Sequence, residues 1–193
     1  MKTDEARRWG GAGRAVAALL VVTVLAAPAL AVAQDTYRPL VQGAAPPDFT
    51  LPDTAGRPVS LSDFRGRAVL LSFISCYADT CFEPVNAFEA LFQRVGTARL
   101  AVLSVCMEVP EALARNGYAG LLKNCSAGQR VLVDRTGAAG RSFFVRETPT
   151  SILLGPDFTV QEVLQGVAPL RDPALPGRIE ALAAQVGPPA PRP

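Results

Sequence analysis

Two apolar runs, Ala68–Ser75 (AVLLSFIS) and Leu100–Met107 (LAVLSVCM), constrain this chain more than any other feature. Both are continuous rather than alternating, the mark of strands buried on two faces. Between them Val85, Phe88, Leu91, Phe92 and Val95 recur at helical spacing and stop near Gly96. A second helix is expected from Pro110 to about Lys123, then a third buried strand at Arg130–Asp134 (RVLVD) and a turn at Thr136-Gly137. Ser151–Gly155 and Val160–Gly166 read as a hairpin around Pro156-Asp157. Pro176–Val186 reads as a closing helix with Ile179, Leu182 and Val186 on one face. Upstream, Gly56-Arg57-Pro58 is a turn, Val59–Leu61 a short strand, and Ser62–Gly66 a helical turn ended by glycine. The predicted class is α/β, a mixed central sheet covered by helices on both faces.

Composition narrows the chemistry such a sheet can carry. The 193 residues include four cysteines and no histidine, with a formal net charge of +2. Histidine-dependent triads, Cys-His nucleophile pairs and His-ligated zinc or haem are therefore excluded. So small a charge gives no electrostatic case for nucleic-acid binding. The chemistry of this chain is expected to run on sulfur.

The N-terminus sets the expected redox compartment. Lys2, Arg7, Arg8 and Arg14 precede an apolar run from Ala15 to Ala33 that ends Ala31-Val32-Ala33. A basic segment, an apolar segment and a small-x-small site describe a secretory signal peptide over residues 1–33; the other reading is a membrane anchor. Either places the domain outside the cytoplasm, where cysteines can form disulfides. Residues 34–44 read as a flexible tether, 45–186 as the folded domain, and the proline-rich 187–193 as a disordered tail.

Cys76 and Cys81 fall between the first central strand and its helix, where function collects in α/β sheets. Cys81 lies just before Glu83-Pro84, so a thiol there meets unpaired amides and the positive end of the helix dipole. That setting stabilises the thiolate, the form that attacks disulfides. Four intervening residues, Tyr77 to Thr80, are enough to loop the sulfurs together. Spacing alone leaves a structural disulfide or two unpaired thiols equally open.

The segments around these cysteines form a wider pattern. Ala45–Leu51 (APPDFTL), Gly56–Gly66 (GRPVSLSDFRG) and Val69–Phe73 (VLLSF) are followed downstream by Val131–Gly137 (VLVDRTG) and Val145–Leu154 (VRETPTSILL). Together they resemble the redoxin branch of the thioredoxin-like superfamily, which includes TlpA-like thiol–disulfide oxidoreductases, peroxiredoxins and Sco-type copper proteins. The resemblance covers roughly residues 44 to 186. It implies a thioredoxin-like three-layer α/β/α fold with a mixed central sheet. It also implies that Pro149 is the cis-proline beside the active cysteines, with Thr148 offering its backbone to an extended substrate and Tyr77 the aromatic before the motif.

The chain departs from that pattern at its centre. Aligned on the TlpA-like motif, Ala78 takes the first cysteine position and Cys81 the second, and Cys76 stands two residues early, giving CxxxxC. Cys81 is expected to be the more activated thiol and Cys76 the resolver. Of the three pairings four cysteines allow, the favoured set is Cys76–Cys81 with Cys106–Cys125 as a staple; a buried unpaired Cys106 and a relay from Cys106 to the active pair are the other readings. The expected function is an exported thiol–disulfide oxidoreductase with no cofactor and no bound metal. Its expected partners are exported proteins with cysteines or disulfides and a membrane electron donor, with no nucleic acid. The rivals are a Sco-like copper-binding factor for cytochrome oxidase assembly, a thiol peroxidase, and a redox-inert domain. The missing histidine weakens the copper reading, leaving Met107 as the nearby soft ligand.

Overall fold

Ala68–Ser75 and Leu100–Met107 are strands over their full predicted lengths, and they pair in parallel. The structure is a computed structural model that describes residues 40–75, 89–107 and 129–187. In chain order its elements are β1 (Thr50–Pro52), β2 (Pro58–Ser60), β3 (Ala68–Ser75), α1 (Glu89–Val95), β4 (Leu100–Met107), β5 (Gln129–Asp134), α2 (Ala138–Ser142), β6 (Thr150–Leu154), β7 (Val160–Gln165) and α3 (Leu175–Ala184). Single 3-10 turns cover Leu61–Phe64 and Ala168–Arg171. The predicted helix between Pro110 and Lys123 lies outside the described residues, as do the run Ala15–Ala33 and the tail from residue 188. Among the described residues no helix is long and apolar enough to cross a membrane.

Five strands form one sheet in the order β5-β4-β3-β6-β7. β3, β4 and β5 are parallel, β6 runs antiparallel to β3, and β7 antiparallel to β6. Alternation along β3 divides the core. Val69, Leu71 and Phe73 pack on one face with Leu103, Val105, Leu132, Ile152, Leu154 and Phe143. Ala68 and Leu70 pack on the other with Leu91 and Phe92 of α1 and Leu175, Ile179 and Ala183 of α3. The first face is covered by the β1–β2 hairpin, the 3-10 turn at Leu61–Phe64 and the short α2. Phe73 is fully buried there, its ring 5.1 Å from that of Phe143, which in turn meets Phe49 edge-on at 5.9 Å. Burial of such a ring stabilises a fold by about 3 kcal/mol.

Several details differ from the sequence reading. Thr50–Pro52 pairs antiparallel with Pro58–Ser60, a hairpin whose first strand is too short to show a period. Its turn is organised by Asp53, whose carboxylate accepts the backbone N–H groups of Ala55 and Arg57 and the Arg57 guanidinium, each at 2.9 Å. Asp53 also bridges to Leu132, so the hairpin covers the β5 edge of the sheet. The closing helix buries Leu175, Ile179 and Ala183, with Leu182 partly buried. The small Ala183, rather than Val186, completes the stripe, because the helix ends at Ala184 before a further turn can form.

Candidate active site

The carboxyl ends of the parallel strands meet at one edge of the sheet. Register places Ser75, Met107 and Asp134 in one row across β3, β4 and β5, and Ile74, Cys106 and Val133 in the row before it. Cys76 follows Ser75 directly in the chain. On the other side of β3, pairing with β6 begins at Phe73↔Thr150, so the residues before Thr150 lie alongside the end of β3. The Thr148–Pro149 peptide there is cis. Pro149 is buried, and Arg146, Glu147 and Thr148 are exposed.

Hydrogen bonds from two sides hold the carboxyl end of this loop. The Thr150 hydroxyl donates to the Glu147 carbonyl at 2.7 Å, and the Gly166 N–H donates to the Pro149 carbonyl at 2.8 Å. Gly166 has φ +75°, a left-handed conformation that glycine adopts without a Cβ penalty. The loop enters from α2, whose last turn closes through Phe144 N–H to the Arg141 carbonyl and Val145 N–H to the Gly140 carbonyl. Phe144 itself is left-handed, at φ +56°.

At the far end of the row, Asp134 is 1% exposed. Its Oδ2 accepts the Gly140 N–H at 2.9 Å, and its Oδ1 has no hydrogen-bond partner among the described residues. Gly140 is packed so closely that an added Cβ would lie 2.3 Å from Met107 Cε and 2.9 Å from its sulfur. The absent side chain lets Met107 lie over α2.

A polar seam crosses the other face of the same sheet. The Ser72 and Ser151 hydroxyls are 2.7 Å apart and both residues are fully buried. Ser104 lies opposite Ser72 on β4 and accepts a hydrogen bond from the Gln129 amide nitrogen. Cys106, fully buried, stands two residues beyond Ser104 on this face.

The predicted site residues are distributed as follows. Pro149 and Thr148 lie at the end of β3, and Cys106 lies in the interior of the sheet one strand away. Cys76, Tyr77, Cys81 and Cys125 lie outside the described residues. Thr150, Gly166, Asp134 and Gly140 were not singled out from the sequence. The aspartate ending the apolar RVLVD run and the glycine ending VQEVLQG were the available signals. Among the described residues no group of three or more acidic, cysteine or histidine side chains is placed to hold a metal ion.

Comparison with known proteins agrees with this architecture. A model of the AhpC/TSA family matches residues 42–163. A thiol-disulfide oxidoreductase ResA from Bacillus thuringiensis is 22% identical over 120 residues, 62% of this chain and 67% of that protein. Peroxiredoxin Q of Sedum lineare is 31% identical over 77 residues, 39% of this chain and 41% of that protein. Among solved structures, a proposed thiol:disulfide interchange protein DsbE from Chlorobium tepidum has a TM-score of 0.62 and 28% identity, covering 75% of this chain and 99% of that one. A thiol-disulfide oxidoreductase from Bacteroides fragilis has a TM-score of 0.59 at 23% identity, covering 72% of this chain and 99% of that one. With more than half its length matched and its sheet edge arranged as described, the chain belongs to the AhpC/TSA family, has a thioredoxin-like fold and takes its place among the thiol–disulfide oxidoreductases.

Proposed function

We propose that this protein is an exported thiol–disulfide oxidoreductase that exchanges disulfides with partner proteins through Cys76 and Cys81. The observation that carries the reading is the strand register, Phe73 opposite Thr150, which sets the Thr148–Pro149 loop beside the end of β3, the strand that runs directly into Cys76. The thiolate of one cysteine, Cys81 on the helix-dipole argument, attacks a sulfur of the partner's disulfide. One partner thiolate leaves and a mixed disulfide remains. The second cysteine attacks the protein-side sulfur of that bond, releasing the partner's other thiolate and leaving Cys76–Cys81 oxidised. Two electrons have passed to the partner; the reverse sequence oxidises it. Thr148 offers backbone groups to an extended segment of the partner, as a sheet edge does. The basic and apolar N-terminal segments support export, with cysteine-bearing exported proteins as substrates and a membrane donor or acceptor completing the cycle.

The test is alkylation mapping of all four cysteines in graded thiol–disulfide buffers, with single Cys76→Ser and Cys81→Ser variants. The expected result is one pair that titrates as a two-electron couple in a range where structural disulfides stay closed. Loss of either cysteine should trap a mixed disulfide or abolish exchange. Absence of any titrating pair would sink the reading. The partial likeness to peroxiredoxin Q favours a second reading, a thiol peroxidase. It would be chosen instead if one cysteine alone supports hydrogen peroxide consumption.

A further inference from the structure

The Thr150 hydroxyl has a role that strand pairing does not require. Thr150 is 3% exposed, and its backbone pairs with Phe73 on one side and Gln165 on the other. Valine has the same branched shape and would suit this position in a strand equally well. The hydroxyl instead spans back across the cis peptide to the Glu147 carbonyl, at 2.7 Å. The closed ring so formed encloses the dipeptide Thr148–Pro149. From the other side Gly166 N–H holds the Pro149 carbonyl at 2.8 Å. Three consecutive exposed residues, Arg146 to Thr148, are thereby anchored at their carboxyl end by one buried side chain and one backbone donor.

We infer that Thr150 is a positioning residue for an extended, disulfide-bearing polypeptide: its hydroxyl holds Glu147–Pro149 in the shape that presents Thr148's backbone before the substrate arrives. This inference rests on the proposed exchange function and deepens it. A loop already ordered costs less to order on binding, so the hydroxyl contributes to capture of polypeptide substrates. It leaves the exchange step itself unchanged. A small disulfide that needs no backbone contact gains nothing from it.

The experiment compares reduced wild-type protein with Thr150→Val, Thr150→Ala and Thr150→Ser in single-turnover reactions. One substrate is an extended peptide closed by a disulfide; the other is a small aromatic disulfide. With the peptide, Thr150→Val should raise the half-saturating concentration roughly fivefold, the equivalent of one neutral hydrogen bond, at an unchanged limiting rate. Thr150→Ala repeats the deletion with a smaller side chain, and Thr150→Ser should restore the wild-type value. With the small disulfide all four proteins should react alike. Equal losses with both substrates, or a wild-type half-saturation in Thr150→Val, would overturn the inference while leaving the exchange function standing. A wild-type protein that reacts with neither substrate would remove the exchange function and the inference with it.

Discussion

Gly166 and Gly177 make opposite predictions from the same substitution. A Cβ added at either meets nothing within 4 Å, so packing does not distinguish them. The backbone does: Gly166 sits at φ +75° in the turn after β7, and Gly177 lies inside α3. Alanine at Gly166 would be held left-handed, at a cost of about 1–2 kcal/mol. Alanine at Gly177 keeps a helical conformation and reduces the freedom of the unfolded chain, a gain of about 0.5–1 kcal/mol. For a domain of this size each kcal/mol moves the melting midpoint by roughly 2–4 °C. Gly166→Ala should therefore melt about 2–8 °C below wild type and Gly177→Ala about 1–4 °C above it. Circular dichroism melts of the three proteins, run at one scan rate, measure both shifts. A Gly166→Ala protein that melts at or above wild type would refute the left-handed turn, and with it the placement of the Gly166 N–H on the Pro149 carbonyl.

Three further predictions concern the core and the hairpin. Gly140→Ala must displace Met107, costing about 1–3 kcal/mol of stability; urea unfolding should show a smaller cost in a Met107→Ala background, and additive effects would show that the two residues do not meet. Ser72→Ala leaves the Ser151 hydroxyl buried without its partner, at about 1–3 kcal/mol, whereas the Ser72→Ala/Ser151→Ala double variant should lose less than the two singles summed. Burial raises the pKa of Asp53, but the hydrogen bonds from Arg57 and Ala55 outweigh it and hold the carboxyl below its ordinary value of 3.8. A depressed folded pKa means stability that is fully present above the unfolded value and lost as pH falls through the folded one. The stability difference between wild type and Asp53→Asn should thus be constant above about pH 5 and shrink below about pH 4; a difference that grows on acidification would show the sign to be wrong.

Legibility from the sequence followed the length of each signal. β3 and β4 were readable to the residue, because an eight-residue run broken only by serine excludes both a loop and a half-exposed strand. The β6–β7 hairpin was readable from Pro156-Asp157 between the apolar SILL and the mixed VQEVLQ. β2 was readable as Val59–Leu61 and lies one residue earlier, at Pro58–Ser60, whereas β1, at three residues, carries no period and is defined by the turn that Asp53 builds. Pro149 stood out through family resemblance. Thr150 did not, since a threonine in a strand looks ordinary until its hydroxyl is seen to reach Glu147.

By itself, the sequence narrowed the chemistry: the absence of histidine removes the histidine-dependent sites, four cysteines point to sulfur, and the apolar pattern points to an α/β sheet. Only the tertiary structure decided which groups surround the end of β3. Ser72 and Ser151 are 79 residues apart and meet because β6 inserts antiparallel beside β3. Asp134 lies in a row with Ser75 because two parallel crossovers bring β4 and β5 alongside in register. Apolar periodicity encodes which residues leave water, and that is a local property of the chain. Neighbours across strands depend on sheet order and register, which arise from the packing of all elements at once.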